Sequence, residues 1–199
     1  MAKIIDYYFS PVSPWTYMGH ERFASMANKH GASVNVKPMD LGKIFPVSGG
    51  VPVKQRAPQR QAYRFMELRR WREFLNVPLT LEPKFFPVPA DAACVLICAA
   101  AKKHGTDAAM KLAFACLRAC WKEERNVGDD ATLDQIVREQ SLDPASLRAM
   151  QADARADYDR YTQEAIERGV FGAPSFVIGD EIFWGQDRLE FVERALRRE

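Results

Sequence analysis

The chain is poor in the residues that most often carry chemistry. Its 3 histidines, His20, His30 and His104, are dispersed, with no helical pairing suited to a metal and no sign of a triad. Its 4 cysteines are confined to the middle of the sequence. Cys94 is paired with Cys98 and Cys116 with Cys120, at helical spacing, so neither pair has the two-residue gap of a redox dithiol. No run approaches the ~18 apolar residues of a membrane span. No apolar segment follows a basic start, so no signal peptide is expected, a cytoplasmic setting is, and structural disulfides are disfavoured. A formal net charge of +2 gives no electrostatic case for nucleic acid. There is no internal repeat and no low-complexity segment. A hydrophobic fraction of 47% in 199 residues suits one large globular domain, or a domain with an insertion.

What is present begins near the N-terminus. Residues 3–9 (Lys-Ile-Ile-Asp-Tyr-Tyr-Phe) form a mostly apolar run, as in a strand buried on both faces. A short turn follows, and Ser13-Pro14 opens a helix, with Ser13 suited to the N-cap and Pro14 to the first helical position. The helix is expected to run to about His30, with Gly31 ending it. Residues 33–37 then complete a βαβ unit with parallel strands and a right-handed crossover. Free N–H groups and the positive dipole end at Ser13 favour an anion; such positions lower a thiol pKa from about 8.5 into the range of roughly 3.5–7.5. On these residues alone, Ser13 is either a simple cap or a hydroxyl donor at an anion site.

Near the C-terminus, residues 175–178 and 181–184 read as a β-hairpin turning at Gly179-Asp180, and an amphipathic helix starts near Asp187. Pro174 stands just before a buried strand, where proline cannot donate to a ladder. Either a cis bond follows Ala173, presenting the Ala173 backbone to an extended peptide, or Pro174 is an ordinary trans proline at a strand start.

Residues 58–169 read as helical. Residues 59–75 carry Tyr63, Met66, Leu68, Trp71 and Leu75 at helical spacing. Residues 91–103 are apolar all round at their centre, as in a buried helix. Residues 106–124, 130–140, 143–151 and 152–168 read as further helices, with Asp91, Asp129, Asp130 and Asp134 suited to helix starts. Two cysteine-bearing helices facing each other would offer four thiolates to zinc, but among Ala, Val, Leu, Ile and Phe these cysteines read as core. His20 and His30 read as helix-surface residues, and Arg69-Arg70-Trp71-Arg72 as a solvated face. Residues 43–58, with Pro46, Gly49, Gly50, Pro52 and Pro58, read as a long loop of the kind that is often functional. Its Lys43 and Arg56 are either solvated or placed to bind a carboxylate, Arg as a fork and Lys as a point charge.

Three motifs in order, Ser13-Pro14-Trp15, Phe171-Gly172-Ala173-Pro174-Ser175 and Trp184-Gly185-Gln186-Asp187-Arg188-Leu189, resemble those of 2-hydroxychromene-2-carboxylate isomerases. These belong with kappa-class glutathione transferases and DsbA-type bacterial disulfide oxidoreductases. The resemblance spans the chain, with Met39-Asp40-Leu41-Gly42-Lys43-Ile44 and the stretch from Leu68 to Leu79 also fitting. It implies an α/β fold, with a thioredoxin-like domain from residues 1–57 and 170–199 and an inserted all-helical domain from residues 58–169.

It also implies a cofactor, glutathione, and a homodimer. Ser13 and Thr16 occupy the expected cysteine positions, which disfavours dithiol exchange and leaves the reactive sulfur to come from glutathione. By the same resemblance, Ser13 is catalytic and binds the glutathione sulfur. Ala173 and Pro174 hold the cysteinyl part and Trp184 packs beside the tripeptide. Gln186 and Asp187 meet its γ-glutamyl end, and Arg188 also binds glutathione. Lys43 and Arg56 face a small aromatic carboxylate, 2-hydroxychromene-2-carboxylate, which is converted to trans-o-hydroxybenzylidenepyruvate in naphthalene-type degradation. No metal is implied. A kappa-like transferase acting on another electrophile, and a non-catalytic glutathione- or peptide-binding module, are the alternatives.

Overall fold

Parallel pairing of the first two strands sets the frame of the structure, a computed structural model that describes residues 3–198. Strand β1 (Ile4–Phe9) lies between β2 (Ser33–Pro38) and β3 (Ser175–Ile178), and β4 (Glu181–Trp184) forms the other edge. β1 is parallel to β2 and antiparallel to β3, and β3 and β4 form the hairpin. The centre of the sheet is aromatic: Tyr7 stacks on Phe9 with ring centroids 4.6 Å apart and on Phe176 at 5.3 Å. Helix α1 (Pro14–Lys29) packs Phe23 against the same rings.

Between β2 and β3 run α2 (Leu41–Ser48), α3 (Pro58–Phe74), α4 (Asp91–His104), α5 (Thr106–Trp121), α6 (Asp130–Glu139), α7 (Pro144–Arg148) and α8 (Gln151–Glu167). A 3-10 turn over Gln186–Arg188 and α9 (Leu189–Arg197) finish the chain. The architecture is the α/β thioredoxin-like fold with helical residues placed between its second and third strands. Helix α4 is buried through its centre, from Ala93 to Ala100, and α5 packs on α1 and β2. One continuous apolar cluster therefore joins the sheet to the helices. Lys37 on β2 pairs with Asp6 of β1 at 2.9 Å and ties the sheet to α8 through Glu164 at 2.5 Å. Among the described residues, no helix is long and apolar enough to cross a membrane, and no cluster of ligating side chains suits a metal ion. All four cysteines are buried and unpaired.

Three readings of the sequence need correction. Residues 43–48 of the expected loop are helix, part of α2. Asp40 caps it by accepting from the Gly42 N–H at 2.8 Å, and Gly49 ends it in the left-handed region at φ 76°. Pro46 lies inside this helix at the loss of one backbone bond, and the density of Pro and Gly hid it. The inward stripe of α3 runs through Arg64 and Leu68, whereas Tyr63 and Met66 lie outside. His20 is not a surface residue: it is 2% exposed, between the Tyr7 hydroxyl (3.1 Å from Nδ1) and the Met110 carbonyl (3.0 Å from Nε2). The cause is α5, which packs on the face of α1 that would otherwise be open. His30 remains half-buried and meets Glu193 at 2.8 Å.

Candidate active site at the head of the first helix

Strand directions gather the motifs. β1 and β2 end together, since the Met39 N–H donates to the Phe9 carbonyl at 2.9 Å. β3 begins at that end, with Ser175 opposite Tyr8, and β4 finishes there, with Trp184 opposite Ser175. The head of α1, the turn into α2, the Gly172–Pro174 segment and the Trp184–Asp187 turn thus share one end of the sheet.

Ser13 sits at its centre and is buried. Its backbone is extended, as an N-cap requires, and its Oγ accepts from the Thr16 N–H at 3.2 Å. The same hydroxyl donates to the Ala173 carbonyl at 3.4 Å, a long bond that joins the two candidate residues across 160 positions of chain. The Ala173–Pro174 bond is cis. Pro14 brings no N–H, and the Trp15 N–H has no acceptor among the described residues. Thr16 is fully buried, yet its Oγ1 has no hydrogen-bond partner. A capped helix start with an unused amide and an unpaired hydroxyl is an electropositive corner without a thiol of its own.

The surrounding residues divide by role. Trp184 is half exposed, lies edge-on to Phe171 at 4.8 Å, and rests over Gly172, where an added Cβ would meet its Nε1 at 2.4 Å. Gln186 is buried against Gly19 of α1, and its Oε1 accepts from Arg22 at 2.7 Å, so its side chain is committed to holding the turn. Asp187 folds back over Gly185 and pairs with Arg188 at 2.8 Å. Lys43, on α2, pairs with Asp159 of α8 at 2.9 Å, and both are well exposed. Arg56 donates from Nε to the Val51 carbonyl at 2.7 Å. Burial and the neighbouring Arg60 lower its pKa.

Sequence reasoning missed a series of contacts that supports the head of α1. The Trp121 indole N–H donates to the Val12 carbonyl at 3.1 Å, Phe86 lies on Trp121 with centroids 4.7 Å apart, and the Arg64 guanidinium carbon is 5.6 Å from the Phe86 centroid. This series of contacts starts one residue before Ser13. The only sequence signal was the spacing of Arg64 to Leu68 and Trp71, which sets an arginine on an otherwise apolar stripe.

The chain belongs to the DSBA-like thioredoxin family, whose domain matches residues 4–197. Within that class, it is similar to the 2-hydroxychromene-2-carboxylate isomerase of Sphingobium xenophagum, with 30% identity over 98% of this chain and 99% of that protein. It is also similar to glutathione S-transferase kappa 1 of Caenorhabditis elegans, with 24% identity over 98% of this chain and 91% of that one. A solved 2-hydroxychromene-2-carboxylate isomerase matches with a TM-score of 0.79 and 25% identity, covering 97% of this chain and 94% of its own. These relatives are enzymes, and both isomerase and transferase activities occur among them.

Proposed function

We propose that the protein is a glutathione-dependent isomerase that converts 2-hydroxychromene-2-carboxylate, or a close bicyclic aromatic carboxylate, to its opened trans-benzylidenepyruvate isomer. The observation that carries this reading is the meeting of Ser13 and Ala173 at a helix start that lacks a protein thiol. The unpaired Thr16 Oγ1 and the unused Trp15 N–H fit a bound sulfur anion. Glutathione, when bound, supplies a nucleophilic thiolate, the chemistry by which a conjugated C=C bond becomes transiently single and free to rotate.

The chain's own residues position and polarise. Ser13 turns its hydroxyl proton from the Ala173 carbonyl toward the anion, and the α1 dipole holds that anion ionised. The Ala173 backbone pairs with the cysteinyl portion of the tripeptide, and Trp184 covers it. Asp187 takes the γ-glutamyl ammonium, and Gln186 keeps the turn in place through Arg22. Arg188 holds the Asp187 carboxylate in position. Arg56 draws in the acid end of the second substrate, with Lys43 at the rim.

Turnover of 2-hydroxychromene-2-carboxylate with and without glutathione, alongside calorimetric titration of the tripeptide, is the test. Glutathione should bind once per subunit, and isomerisation should require it. No binding at millimolar concentration would sink the reading. Turnover of a simple electrophile without any isomerisation would move the protein to the transferase side of its family.

A further inference from the structure

Arg64 and Lys37 are the only buried lysine or arginine residues among the described residues, each 8% exposed. Lys37 is compensated by two carboxylates, Asp6 and Glu164. Arg64 has none: among the described residues it makes no salt bridge and no hydrogen bond. Its guanidinium instead meets aromatic faces, 5.6 Å from the Phe86 centroid and 5.9 Å from that of Phe65. The charge that acts on it is another cation, Arg56, and burial together with Arg56 brings its pKa down to about 10. Two neighbouring arginines, one of them largely buried and with donors that no protein group takes, make a cationic corner that an anion would relieve.

We propose that Arg64, seconded by Arg56, is the receiving site for the carboxylate of the non-thiol substrate; the identity of that substrate rests on the isomerase reading above. A guanidinium fork takes a planar carboxylate through two parallel bonds, and the rings of Phe86 and Phe65 lie beside it. Phe86 lies between Arg64 and Trp121, and Trp121 is bonded to the residue before Ser13. An aromatic acid anchored at Arg64 would thus extend its rings along Phe86 toward the head of α1. Lys43, already paired with Asp159 and well exposed, is left a peripheral role.

Calorimetry with chromone-2-carboxylate, a stable bicyclic aromatic acid, and with its neutral carboxamide tests this without catalysis. The wild-type protein should bind the acid at least tenfold more tightly than the amide. Arg64→Met should weaken acid binding by about tenfold to a hundredfold, the range of one charged hydrogen-bonded contact, and leave both probes bound alike. Arg64→Lys should retain part of the preference, and Arg56→Met should lose less than Arg64→Met. Glutathione affinity should stay within about twofold, and the thermal midpoint of Arg64→Met should equal or exceed that of the wild type, because an unpaired buried charge has gone.

The proposal is overturned if the wild type does not bind the acid at millimolar concentration, or if the acid preference survives Arg64→Met. A parallel loss of glutathione affinity would overturn it by assigning Arg64 to the tripeptide. A lowered midpoint with equal loss of both probes would assign it to packing. If the preference vanishes in Arg64→Met while glutathione neither binds nor supports turnover, the anion site stands and the isomerase reading falls.

Discussion

The indole of Trp121 donates to the carbonyl of Val12 at 3.1 Å, and so the last residue of α5 fixes the turn that delivers Ser13. Trp121 is fully buried. Trp121→Phe removes the donor from a part-buried carbonyl, at a cost of about 1 kcal/mol. The expected result is a lower midpoint in denaturant and reduced turnover with little change in the affinity for glutathione. A variant as stable and as active as the wild type would show that the turn holds itself.

Ser13→Ala should lower turnover by about tenfold to a thousandfold, the range for losing one preorganised hydrogen bond to developing charge. The fold should survive, because an N-cap is worth about 0.5–2 kcal/mol. The ultraviolet titration of the bound thiol should move to higher pH. An unchanged rate together with an unchanged titration would return Ser13 to the role of a cap.

Gly172→Ala tests Trp184 without touching it. The new methyl would sit 2.4 Å from the indole Nε1, so the half-exposed ring must swing away. Glutathione binding should weaken several-fold while the circular dichroism spectrum is retained. Full affinity in this variant would remove Trp184 from the tripeptide's site.

His20 gives the fold a pH dependence of known sign. Burial drives its pKa down to about 4, outweighing the bond to the Met110 carbonyl. The unfolded chain binds a proton near pH 6.5 that the folded chain refuses until about pH 4. The stability due to neutral His20 is therefore complete above about pH 6.5 and is lost as pH falls through about 4, a change on the order of 3 kcal/mol. Denaturant midpoints across that window should slope for the wild type and flatten for His20→Gln. Equal slopes in the two proteins would show that other groups dominate.

Much of this was written in local sequence. Ser13-Pro14 before an amphipathic run, Gly179-Asp180 between two short apolar runs, and the uniformly apolar stretch around Leu96 each specify their element through nearest-neighbour chemistry. Elements whose signals conflict were obscured: α2 carries Pro46 and Gly42, which read as loop until the Asp40 cap is seen. The inward face of α3 was equally hidden, because arginines stand on all its sides and only packing against Phe86 selects Arg64. The contact between Trp121 and Val12 links residues 109 positions apart. No periodicity encodes such a meeting, and the support behind Ser13 is built from such meetings.

The four cysteines leave a last consequence for measurement. Burial pushes Cys98, Cys116 and Cys120 up to about 12 and Cys94 well above the usual thiol range. At neutral pH the native polypeptide is therefore silent toward thiol reagents and contributes no thiolate absorbance. Any ionised sulfur detected in the intact protein must have arrived with a ligand, so the molecule carries its own blank, and a bound thiol can be titrated without replacing a single residue.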